Sequence, residues 1–393
     1  MKTVLINGKI ITPMRIIDNG ILAFEGEKIS YVGDKKGYPI TEEDQVIDVK
    51  GQYISPGFID IHTHGAGGHD FMDGTIEAFL EAAHTHMEHG STTLIPTTLT
   101  STMEDLFQTL DLFKEAKRQN KGPHLLGLHL EGPYFSMEQR GAQDPKYIKN
   151  PEKEEYEKIV AYSPDIVRWT IAPELEGALP MGSALVEKGI VPSIGHSNAV
   201  YEDVLKAYEH GYCLMTHFYS GMSTVTRVRG ERHAGVIESG YLIDEMFVEV
   251  IADGLHLPKS LLQLIYKVKG SDRICLVTDS MRAAGCEEGE YVLGNKETGQ
   301  PVLVKDGVAR LMDESGFAGS VATADRLIRT MIHVAEVPLQ EAVKMMTLNP
   351  ARVMKIDHKT GSLAVGKEAD IIAFDDNIHV SKVWVGGTLT KAE

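Results

Sequence analysis

Cysteine is scarce in this chain, and the few that occur form no recognisable pattern. Cys213, Cys275 and Cys286 are the only three in 393 residues, and no two of them make a CxxC pair. This spacing indicates neither a disulfide framework nor a zinc ribbon. Reduced thiols in a cytoplasmic protein are therefore the expected state.

Basic residues and long apolar runs are also scarce in this chain. The chain has 39 lysines and arginines against 56 aspartates and glutamates, a formal net charge of −17. That balance argues against nucleic acid or an anionic membrane as the main partner, although a local site can still oppose the global sign. No stretch is long and apolar enough to span a bilayer, and residues 1–8 turn too soon for a signal peptide. We expect a cytoplasmic protein with no nucleic-acid or membrane partner.

Both ends of the chain contain short strands separated by Gly, Asp and Lys. Such strands are predicted at 4–6, 20–24, 29–32, 46–49, 361–363, 369–374 and 380–385. Neither end is long enough to bury a core alone. We predict that residues 1–55 and 350–393 together form a small β-sandwich domain.

The middle of the chain, residues 56–349, alternates between apolar runs of strand length and amphipathic helical patterns. The strands are predicted at 58–64, 92–97, 125–131, 166–173, 190–196, 212–217, 247–253 and 274–279, with helices such as 103–117, 152–162, 199–210, 258–269 and 323–335 between or after them. Apolar strands separated by helices imply a parallel sheet covered on its outer face. Eight such units predict a TIM-like (β/α)₈ barrel as the catalytic domain. An open doubly wound sheet is the alternative, weakened by the missing Gly-rich fingerprint after the first strand.

Two His-x-His pairs occur in contrasting local patterns. His62 and His64 end an apolar strand, where residues two apart face the same side and can converge on a metal ion. His84 and His86 lie in a helical pattern, where two residues correspond to a rotation of about 200°. We therefore predict that the first pair binds metal. We predict that the second lies on a solvated helix face, with the helix ending at residues 89–90.

Unusual polar residues also follow other predicted strands, at the end of a barrel where active sites lie. Glu131 ends the third strand, His196 the fifth, His217 the sixth and Asp279 the eighth, while the seventh runs into His256. A cluster of buried polar groups is costly unless it has a role. We therefore expect these side chains to meet in one active site.

The chemistry of this set indicates a metal-dependent hydrolase. Neutral imidazoles and a carboxylate suit Zn²⁺ or Fe²⁺, and can also hold Mn²⁺ or Co²⁺. Water bound to such a metal becomes a nucleophile, and a nearby carboxylate can collect its proton and return it to a leaving group. Asp279 is the candidate base and Glu131 the candidate carboxylate ligand. We interpret His129 and Gln143 as residues that orient the ligands.

With these residues in place, the chain resembles the amidohydrolase superfamily and, within it, the N-acetylglucosamine-6-phosphate deacetylase family. The motifs that carry the resemblance span nearly the whole length, at 56–65, 68–71, 129–134, 172–174, 195–197, 216–217, 253–256, 278–279, 318–320, 349–352 and 366–370. Many members of the superfamily have a metal-bridging carboxylated lysine where this chain has Glu131. A glutamate there resembles the sugar deacetylases and favours sugar-amide over cyclic-amide hydrolysis.

The resemblance implies removal of the acetyl group from N-acetyl-D-glucosamine 6-phosphate, giving D-glucosamine 6-phosphate and acetate. It implies that Glu131, His196 and His217 hold the main divalent metal, and that His62 and His64 add a second, so that each subunit binds one or two. Asp279 would then activate the hydroxide and protonate the departing amine.

The resemblance also implies a substrate pocket. His256 resembles the family's substrate-contacting histidine, and the loop at Ala318 and Gly319 would line the sugar and acetyl pocket. Where the family usually has Asn-Ala after the Thr-His motif, this chain has Ser220 and Gly221, whose backbone N–H groups can still bind phosphate.

Arg229 best matches the family's phosphate-binding arginine, with Arg227 and Arg232 close to it in sequence. An arginine suits phosphate because its planar fork binds two oxygens. In the family this arginine comes from the neighbouring subunit, which implies a homodimer. The alternative is a solvated loop of basic residues.

Two other functions stay open at this point. The altered residues at 220–221 leave room for a deacetylase of another N-acetyl sugar, such as the 6-phosphate of N-acetylgalactosamine. A non-catalytic scaffold or sensor that keeps only the barrel is the more remote alternative. It would be expected to lack some of the ligands or the base, and all of them are present here.

Overall fold

The computed structural model describes residues 2–314 and 316–392, which form 24 strands and ten α-helices. The first part of the chain contains β1 (Lys2–Ile11), β2 (Ile16–Glu25), β3 (Lys28–Asp34), β4 (Gln45–Asp48) and β5 (Tyr53–Pro56). The middle contains β6 (Phe58–Thr63), β7 (Gly65–Ala66), β8 (His69–Asp70), α1 (Ile76–Glu88), β9 (Ser91–Thr98), α2 (Met103–Gln119), β10 (His124–Leu125), β11 (Leu128–Glu131), α3 (Lys153–Tyr162), β12 (Ile166–Ile171), α4 (Ala178–Glu187), β13 (Val191–Ile194), α5 (Tyr201–Glu209), β14 (Leu214–Met215), β15 (Thr226–Val228), β16 (Glu231–His233), α6 (Val236–Leu242), β17 (Phe247–Val250), α7 (Lys259–Lys269) and β18 (Ile274–Leu276). The last part contains β19 (Gly289–Leu293), β20 (Gln300–Lys305), β21 (Val308–Leu311), α8 (Ala324–His333), α9 (Leu339–Met346), α10 (Leu348–Val353), β22 (Ile371–Phe374), β23 (Val380–Val385) and β24 (Thr388–Ala392).

Eight parallel strands form the central barrel, in the order β6, β9, β11, β12, β13, β14, β17 and β18, with β10 as a short addition to β9. Contacts between the last and first of these strands close it. The Asp279 N–H donates to the His62 carbonyl at 2.9 Å, and the Thr278 hydroxyl donates to the Asp60 carboxylate at 2.5 Å. The predicted (β/α)₈ barrel is therefore confirmed.

Alternation along β6 shows how the barrel strands bury both faces. Phe58 packs outward in the cluster between the strands and the helices, which also contains Phe79 of α1. Ile59 and Ile61 point into a separate interior cluster. Because both faces are buried, these strands appear in the sequence as continuous apolar runs.

The helices that cover the barrel begin where the sequence supplies a cap. Thr75 accepts a hydrogen bond from the Ala78 N–H at the start of α1, and Thr102 caps α2 in the same way. Such caps satisfy backbone donors that the first turn of a helix leaves free. Among the helices of the described residues, none combines the length and apolar character needed to cross a membrane.

Both ends of the chain contribute to one eight-stranded sheet, in which β5 from the first end pairs with β22 from the last. The sheet curls so that Phe24 of β2 and Trp384 of β23 meet edge to face in one core, with ring centroids 6.5 Å apart. The terminal segments therefore fold together, as the sequence predicts.

The division into residues 1–55 and 350–393 on one side and 56–349 on the other stays a prediction. Helix α10 straddles its boundary at residue 350. Ala351 and Val353 of this helix pack with Ile59 and Ile61 in the barrel interior.

A three-stranded antiparallel sheet, formed by β19, β20 and β21, is inserted after the eighth barrel strand. The pattern of the sequence did not single it out. Leu293 at the end of β19 and Leu311 at the end of β21 line the cavity at the mouth of the barrel. The insert therefore forms one wall of that cavity.

Candidate active site

The six residues predicted as metal ligands and base lie together at the C-terminal ends of the barrel strands. His62 is in β6, and His64 directly follows that strand. Glu131 ends β11, while the others follow β13, β14 and β18 within three residues. All six are at most 7% exposed; they are His62, His64, Glu131, His196, His217 and Asp279. The sequence prediction that these side chains meet agrees with their placement.

Two groups of possible metal ligands share Glu131. In the first, His62, His64 and Glu131 have ligand atoms within 4.8 Å of one another, and in the second, Glu131, His196 and His217 do. His64 Nε2 lies 3.3 Å from Glu131 Oε2, and His217 Nε2 lies 3.0 Å from Glu131 Oε1. Glu131 could therefore help to hold one cation or two.

The donor atoms fit a divalent metal on physical grounds. His62 Nε2 is buried and has no hydrogen-bond partner among the described residues, yet it lies 3.5 Å from Glu131 Oε1 and 3.4 Å from Asp279 Oδ1. A buried nitrogen without a partner is costly unless something else binds it. Imidazole and carboxylate are ligands that Zn²⁺ and Fe²⁺ accept.

The pKa values of the buried groups show that this site favours positive charge beside its carboxylates. Burial lowers the pKa of His64, but hydrogen bonds to Asp279 and Glu131 outweigh burial and raise it to about 10. Burial raises the pKa of Glu131, but the charge on His62 and hydrogen bonds from neighbouring imidazoles hold it well below its usual range. The carboxylates therefore favour a proton on the His64 imidazole when no cation is present, and a metal can replace that proton.

Asp279 lies beside the first ligand group and lines the cavity at the mouth of the barrel. Its Oδ1 is 3.4 Å from His62 Nε2 and 3.2 Å from His64 Nε2. Burial raises its pKa, but the charges on His62 and His64 outweigh burial and lower the pKa to about 2. Asp279 is therefore an ionised carboxylate at neutral pH, as a proton acceptor must be.

Three of the clustered residues adopt backbone conformations that are rare outside glycine. The φ angles are 49° for His196, 33° for His217 and 44° for Asp279. Each follows its strand, so the left-handed turn redirects the chain at the mouth of the barrel. Strained backbone of this kind is concentrated at functional sites.

The two residues predicted to orient ligands lie in different environments. Gln143 donates from Nε2 to Glu131 Oε2 at 2.8 Å, and its Oε1 accepts the Thr100 N–H at 2.9 Å. His129 instead contacts the hydroxyls of Thr97 and Thr170 at 3.2 and 2.6 Å. Its ring packs edge-on against His62, with centroids 4.7 Å apart, so His129 supports that ring by packing.

A buried ion pair inside the barrel was not predicted. Arg168 of β12 and Glu249 of β17 are both fully buried and form a salt bridge. The Glu249 carboxylate also lies 3.2 Å from His62 Nδ1. Burial raises the pKa of Glu249, but the Arg168 guanidinium and His62 outweigh it and lower the pKa. In the sequence, the only sign of this ion pair is that each of these two apolar strands contains one charged residue.

The prediction that His84 and His86 both lie on a solvated helix face is wrong for His86. His84 is exposed, but His86 is fully buried. Its Nε2 contacts the hydroxyl of Thr63 at 2.8 Å and that of Ser280 at 3.3 Å. The two rings do point in different directions, as helical geometry requires, and His86 is the one that faces the barrel. The predicted end of the helix at residues 89–90 agrees with the cap at His89.

A cavity of about 310 Å³ opens beside the clustered residues. Its wall includes four of the predicted substrate-binding residues, Ser220, Gly221, His256 and Gly319. His256 Nδ1 contacts Asp253 Oδ2 at 2.8 Å, and the His256 ring packs on Phe317 with centroids 4.6 Å apart. Ala318 is buried behind the wall instead of lining it.

Gly221 has no room for a side chain. Its φ is 56°, and a Cβ atom there would lie 2.9 Å from the Gln139 carbonyl oxygen and 3.0 Å from His196 Nδ1. That carbonyl also contacts His196 Nδ1 at 2.9 Å. A larger residue at position 221 would therefore displace a candidate metal ligand.

Arg229 does not line this cavity. It lies at the exposed turn of the hairpin formed by β15 and β16, with φ 51°. Arg227 and Arg232 pair across the same hairpin and are exposed as well. All three arginines are therefore on a surface that a second molecule can reach.

Comparisons with known proteins identify the class of this site. The sequence profile of the amidohydrolase family matches residues 53–390. The chain belongs to the amidohydrolase family. It is 35% identical over 352 residues to the N-acetylglucosamine-6-phosphate deacetylase of Lysinibacillus sphaericus, covering 87% of both chains. It is 32% identical over 378 residues to the N-acetylgalactosamine-6-phosphate deacetylase of Escherichia coli O157:H7, covering 96% of this chain and 94% of that protein.

A solved structure is similar over the entire fold. The crystal structure of N-acetylglucosamine-6-phosphate deacetylase from Pasteurella multocida matches with a TM-score of 0.92 and 31% sequence identity. The match covers 100% of both chains. The barrel, the terminal sheet and the inserted sheet described above are therefore contained within the matched length.

Proposed function

We propose that this chain is a metal-dependent hydrolase that removes the acetyl group from N-acetyl-D-glucosamine 6-phosphate. The products are D-glucosamine 6-phosphate and acetate. The observation that carries the proposal is the position of Asp279, an ionised carboxylate beside two ligand groups that share Glu131. The similarity to proteins named as deacetylases of this substrate supports the choice of amide.

The proposed metal is a divalent cation, with Zn²⁺ or Fe²⁺ as the best match to the ligands. Glu131, His196 and His217 would hold one cation, and His62 and His64 with Glu131 would hold a second. We therefore propose one or two cations per subunit. When bound, the cation supplies Lewis-acid activation of the amide carbonyl and of the attacking water.

The chain's own residues then move the protons. Asp279 accepts a proton from the attacking water as the water oxygen adds to the acetyl carbon. It then delivers that proton to the sugar nitrogen as the carbon–nitrogen bond breaks, which leaves the amine and acetic acid. The acid gives up the second proton of the water, which the amine takes up at neutral pH, so the final products are acetate and the protonated amine. Gln143 fixes the Glu131 carboxylate by its 2.8 Å hydrogen bond throughout.

The sugar and its phosphate would occupy the cavity beside Asp279. Nδ1 of His256 is held by Asp253, which leaves Nε2 for a sugar hydroxyl. The Ser220 N–H already donates to the His217 carbonyl at 2.9 Å, so the Gly221 N–H is the backbone donor we assign to the phosphate. Gly319 would line the acetyl side, with Ala318 behind it.

The phosphate charge requires a cation that the cavity lacks. No lysine or arginine is among the described residues that line it. We propose that the partner subunit's Arg229 supplies this charge in a homodimer, because the exposed hairpin carries Arg229 outward. Arg227 and Arg232 are the alternatives on the same hairpin.

We place this reaction in the cytoplasm, in keeping with three cysteines that form no disulfide in the structure. The substrate would be a phosphorylated amino sugar already inside the cell. Nucleic acid and membrane are not part of the proposal.

The first experiment measures acetate release by the metal-loaded protein and by the protein after metal removal with a chelator. We expect release from N-acetyl-D-glucosamine 6-phosphate that is lost without metal and restored by Zn²⁺ or Fe²⁺. Comparing kcat/KM with the galactosamine epimer tests the alternative substrate. A clear preference for that epimer would replace the proposed substrate, and no release from either by metal-loaded protein would favour a scaffold.

A further inference from the structure

Glu249 is a buried carboxylate in the barrel interior that the roles above do not use. Its neighbours in β17, Val248 and Val250, pack in the outer cluster between strands and helices. Successive side chains of a strand point to opposite faces, so Glu249 points into the barrel. A buried carboxylate there is costly unless its contacts compensate for lost hydration.

Those contacts reach both groups of candidate metal ligands. Glu249 Oε2 lies 3.2 Å from His62 Nδ1 and accepts the His217 backbone N–H at 3.1 Å. Its other oxygen, Oε1, pairs with the guanidinium of Arg168. One carboxylate therefore contacts a ligand from each group, from the side opposite the cavity.

Arg168 makes further contacts with the residues that precede His62 and His217. Its Nη1 donates to the Ile61 carbonyl at 3.0 Å, and its Nη2 donates to the Thr216 hydroxyl at 2.8 Å. Ile61 and Thr216 directly precede His62 and His217 in the chain. The ion pair therefore fixes the backbone that presents both histidines.

The contact with His62 has a consequence for its ring. An ionised carboxylate only accepts hydrogen bonds, so His62 must donate from Nδ1. In the neutral ring that a metal requires, Nε2 then carries the lone pair, and this atom is the buried nitrogen without a partner that faces Glu131 and Asp279. A metal requires a lone pair on the nitrogen that binds it.

The other candidate ligands lack such a contact. His196 Nδ1 contacts the Gln139 carbonyl at 2.9 Å. Nδ1 of His64 and of His217 has no hydrogen-bond partner among the described residues. Within this set, His62 is thus the ring whose Nδ1 is held by a carboxylate.

We propose that Glu249, held in place by Arg168, is a positioning residue that orients His62 and fixes its tautomer. It thereby sets the affinity of His62, His64 and Glu131 for a divalent cation. This inference rests on the metal-dependent function proposed above, but it concerns metal binding alone.

The test compares Glu249→Gln with the wild type and with Asp325→Asn. Asp325 is a matched control, because it is a buried carboxylate 3.2 Å from a histidine nitrogen, Nδ1 of His89, and it belongs to neither group of candidate metal ligands. Metal-free proteins are titrated with Co²⁺, followed by calorimetry and by the visible absorption of the bound ion. We expect Glu249→Gln to weaken one class of site about 10–100-fold and to alter its absorption band, since loss of such an orienting contact has effects of this size. Asp325→Asn should titrate like the wild type.

Equal Co²⁺ affinity and an unchanged spectrum in Glu249→Gln would overturn the proposal. Should that variant not fold, the wild type supplies a second test through ¹⁵N spectra of labelled histidines in the Zn²⁺-loaded protein. The His62 resonances, identified by their loss in His62→Asn, should show hydrogen on Nδ1; hydrogen on Nε2 would also overturn it. Neither measurement uses a sugar, so a failure of the deacetylase assay and a failure of this proposal can be told apart.

Discussion

Asp279 is the single residue on which the proposed chemistry depends most directly. Replacement by asparagine keeps the shape of the side chain and removes its ability to accept a proton. We expect Asp279→Asn to lower kcat for acetate release by about 10²–10⁴-fold, the usual contribution of a general base. The variant should still bind at least one cation per subunit, which elemental analysis of the purified protein measures.

Asp325→Asn is the matched control for that variant. Asp325 is a buried aspartate that contacts a histidine, His89, at 3.2 Å, and it does not line the cavity. Its substitution should leave kcat within a few-fold of wild type. Wild-type turnover by metal-loaded Asp279→Asn would exclude Asp279 as the base and with it the proposed mechanism.

The sequence alone could predict the residues at the strand ends, but not the buried ion pair that supports them. His62 and His64 stand out because a polar pair ends an apolar strand, and the two-residue repeat of a strand fixes their direction. Arg168 and Glu249 are also polar residues in apolar strands. Nothing in the sequence says that they pair with each other, because that contact depends on how β12 and β17 face one another across the barrel.

His86 shows a related difficulty within a helix. The sequence pattern fixes the angle between His84 and His86, but it does not fix which of them faces the barrel. We expect His86→Ala to lower the free energy of unfolding by about 1–3 kcal/mol, because it removes a buried ring and its contacts with the hydroxyls of Thr63 and Ser280. His84→Ala, on the exposed face of the same helix, should change it by less than about 0.5 kcal/mol. Denaturant unfolding measures both, and similar losses would contradict the assigned burial.

The same residue predicts a dependence of stability on pH. Burial lowers the pKa of His86 from its ordinary value of 6.5 to about 4 in the folded protein. Between these values the unfolded chain binds more protons than the folded one, so stability falls as the pH falls from 6.5 towards 4. The contribution of His86 should be complete above pH 6.5 and reduced by about 3 kcal/mol near pH 4, at about 1.4 kcal/mol per unit. The difference between wild type and His86→Ala should shrink over this range in denaturant titrations.

Among the elements, the barrel strands were predictable and the inserted sheet was not. Buried strands leave long apolar runs, whereas β19 buries only one of its five residues and β20 only two of its six, within a polar stretch. The hairpin formed by β15 and β16 was read only as a basic loop. Its strands are three residues long and largely exposed, so no core pattern marks them.

The hairpin formed by β15 and β16 allows a test of the shared site, in which two variants with impaired activity are mixed. Arg229→Ala alone should raise KM for the phosphorylated sugar, with little effect on metal binding. Mixed dimers of Arg229→Ala and Asp279→Asn contain one site with both native residues, if the arginine crosses to the other subunit. Refolding or exchanging equal amounts should then restore about a quarter of wild-type sites, as random pairing of two subunits requires.

Arg227→Ala is the control for this experiment, because Arg227 lies on the same exposed hairpin two residues earlier. Its mixture with Asp279→Asn should show no gain beyond the activity of Arg227→Ala itself. If Arg229 acts within its own chain, the first mixture will also show no gain. Restoration by the Arg227 mixture instead would reassign the phosphate contact to that residue.

At the scale of the whole molecule, the chain has an excess of acidic residues, and several carboxylates also lie together in its active site. The net charge is −17, and the site adds Glu131, Asp279 and Glu249 close to one another inside the barrel. Arg168 neutralises one of these carboxylates. In the metal-free protein the raised pKa of His64 means that its imidazole holds a proton against the remaining negative charge. Metal binding, proton binding and fold stability are therefore linked in this molecule.

The direction of this linkage can be worked out from His64. Its pKa of about 10 in the metal-free protein means that it carries a proton at neutral pH. A bound cation requires the neutral ring, so metal binding at pH 7 should release about one proton from His64 for each cation bound to this group. Each unit decrease in pH should then weaken the binding about tenfold per released proton. Cation at 100 times its dissociation constant should stabilise the fold by about 2.7 kcal/mol.

Calorimetric titration of the metal-free protein with Zn²⁺, in buffers of different ionisation enthalpy, measures the number of protons released. His64→Gln, which cannot hold that proton, should release fewer protons and bind with a weaker dependence on pH. Thermal unfolding with and without Zn²⁺ should show the stabilisation directly. Binding without proton release in the wild type would mean that His64 is neutral before the metal arrives, and the carboxylates around it would then have to be balanced by another charge.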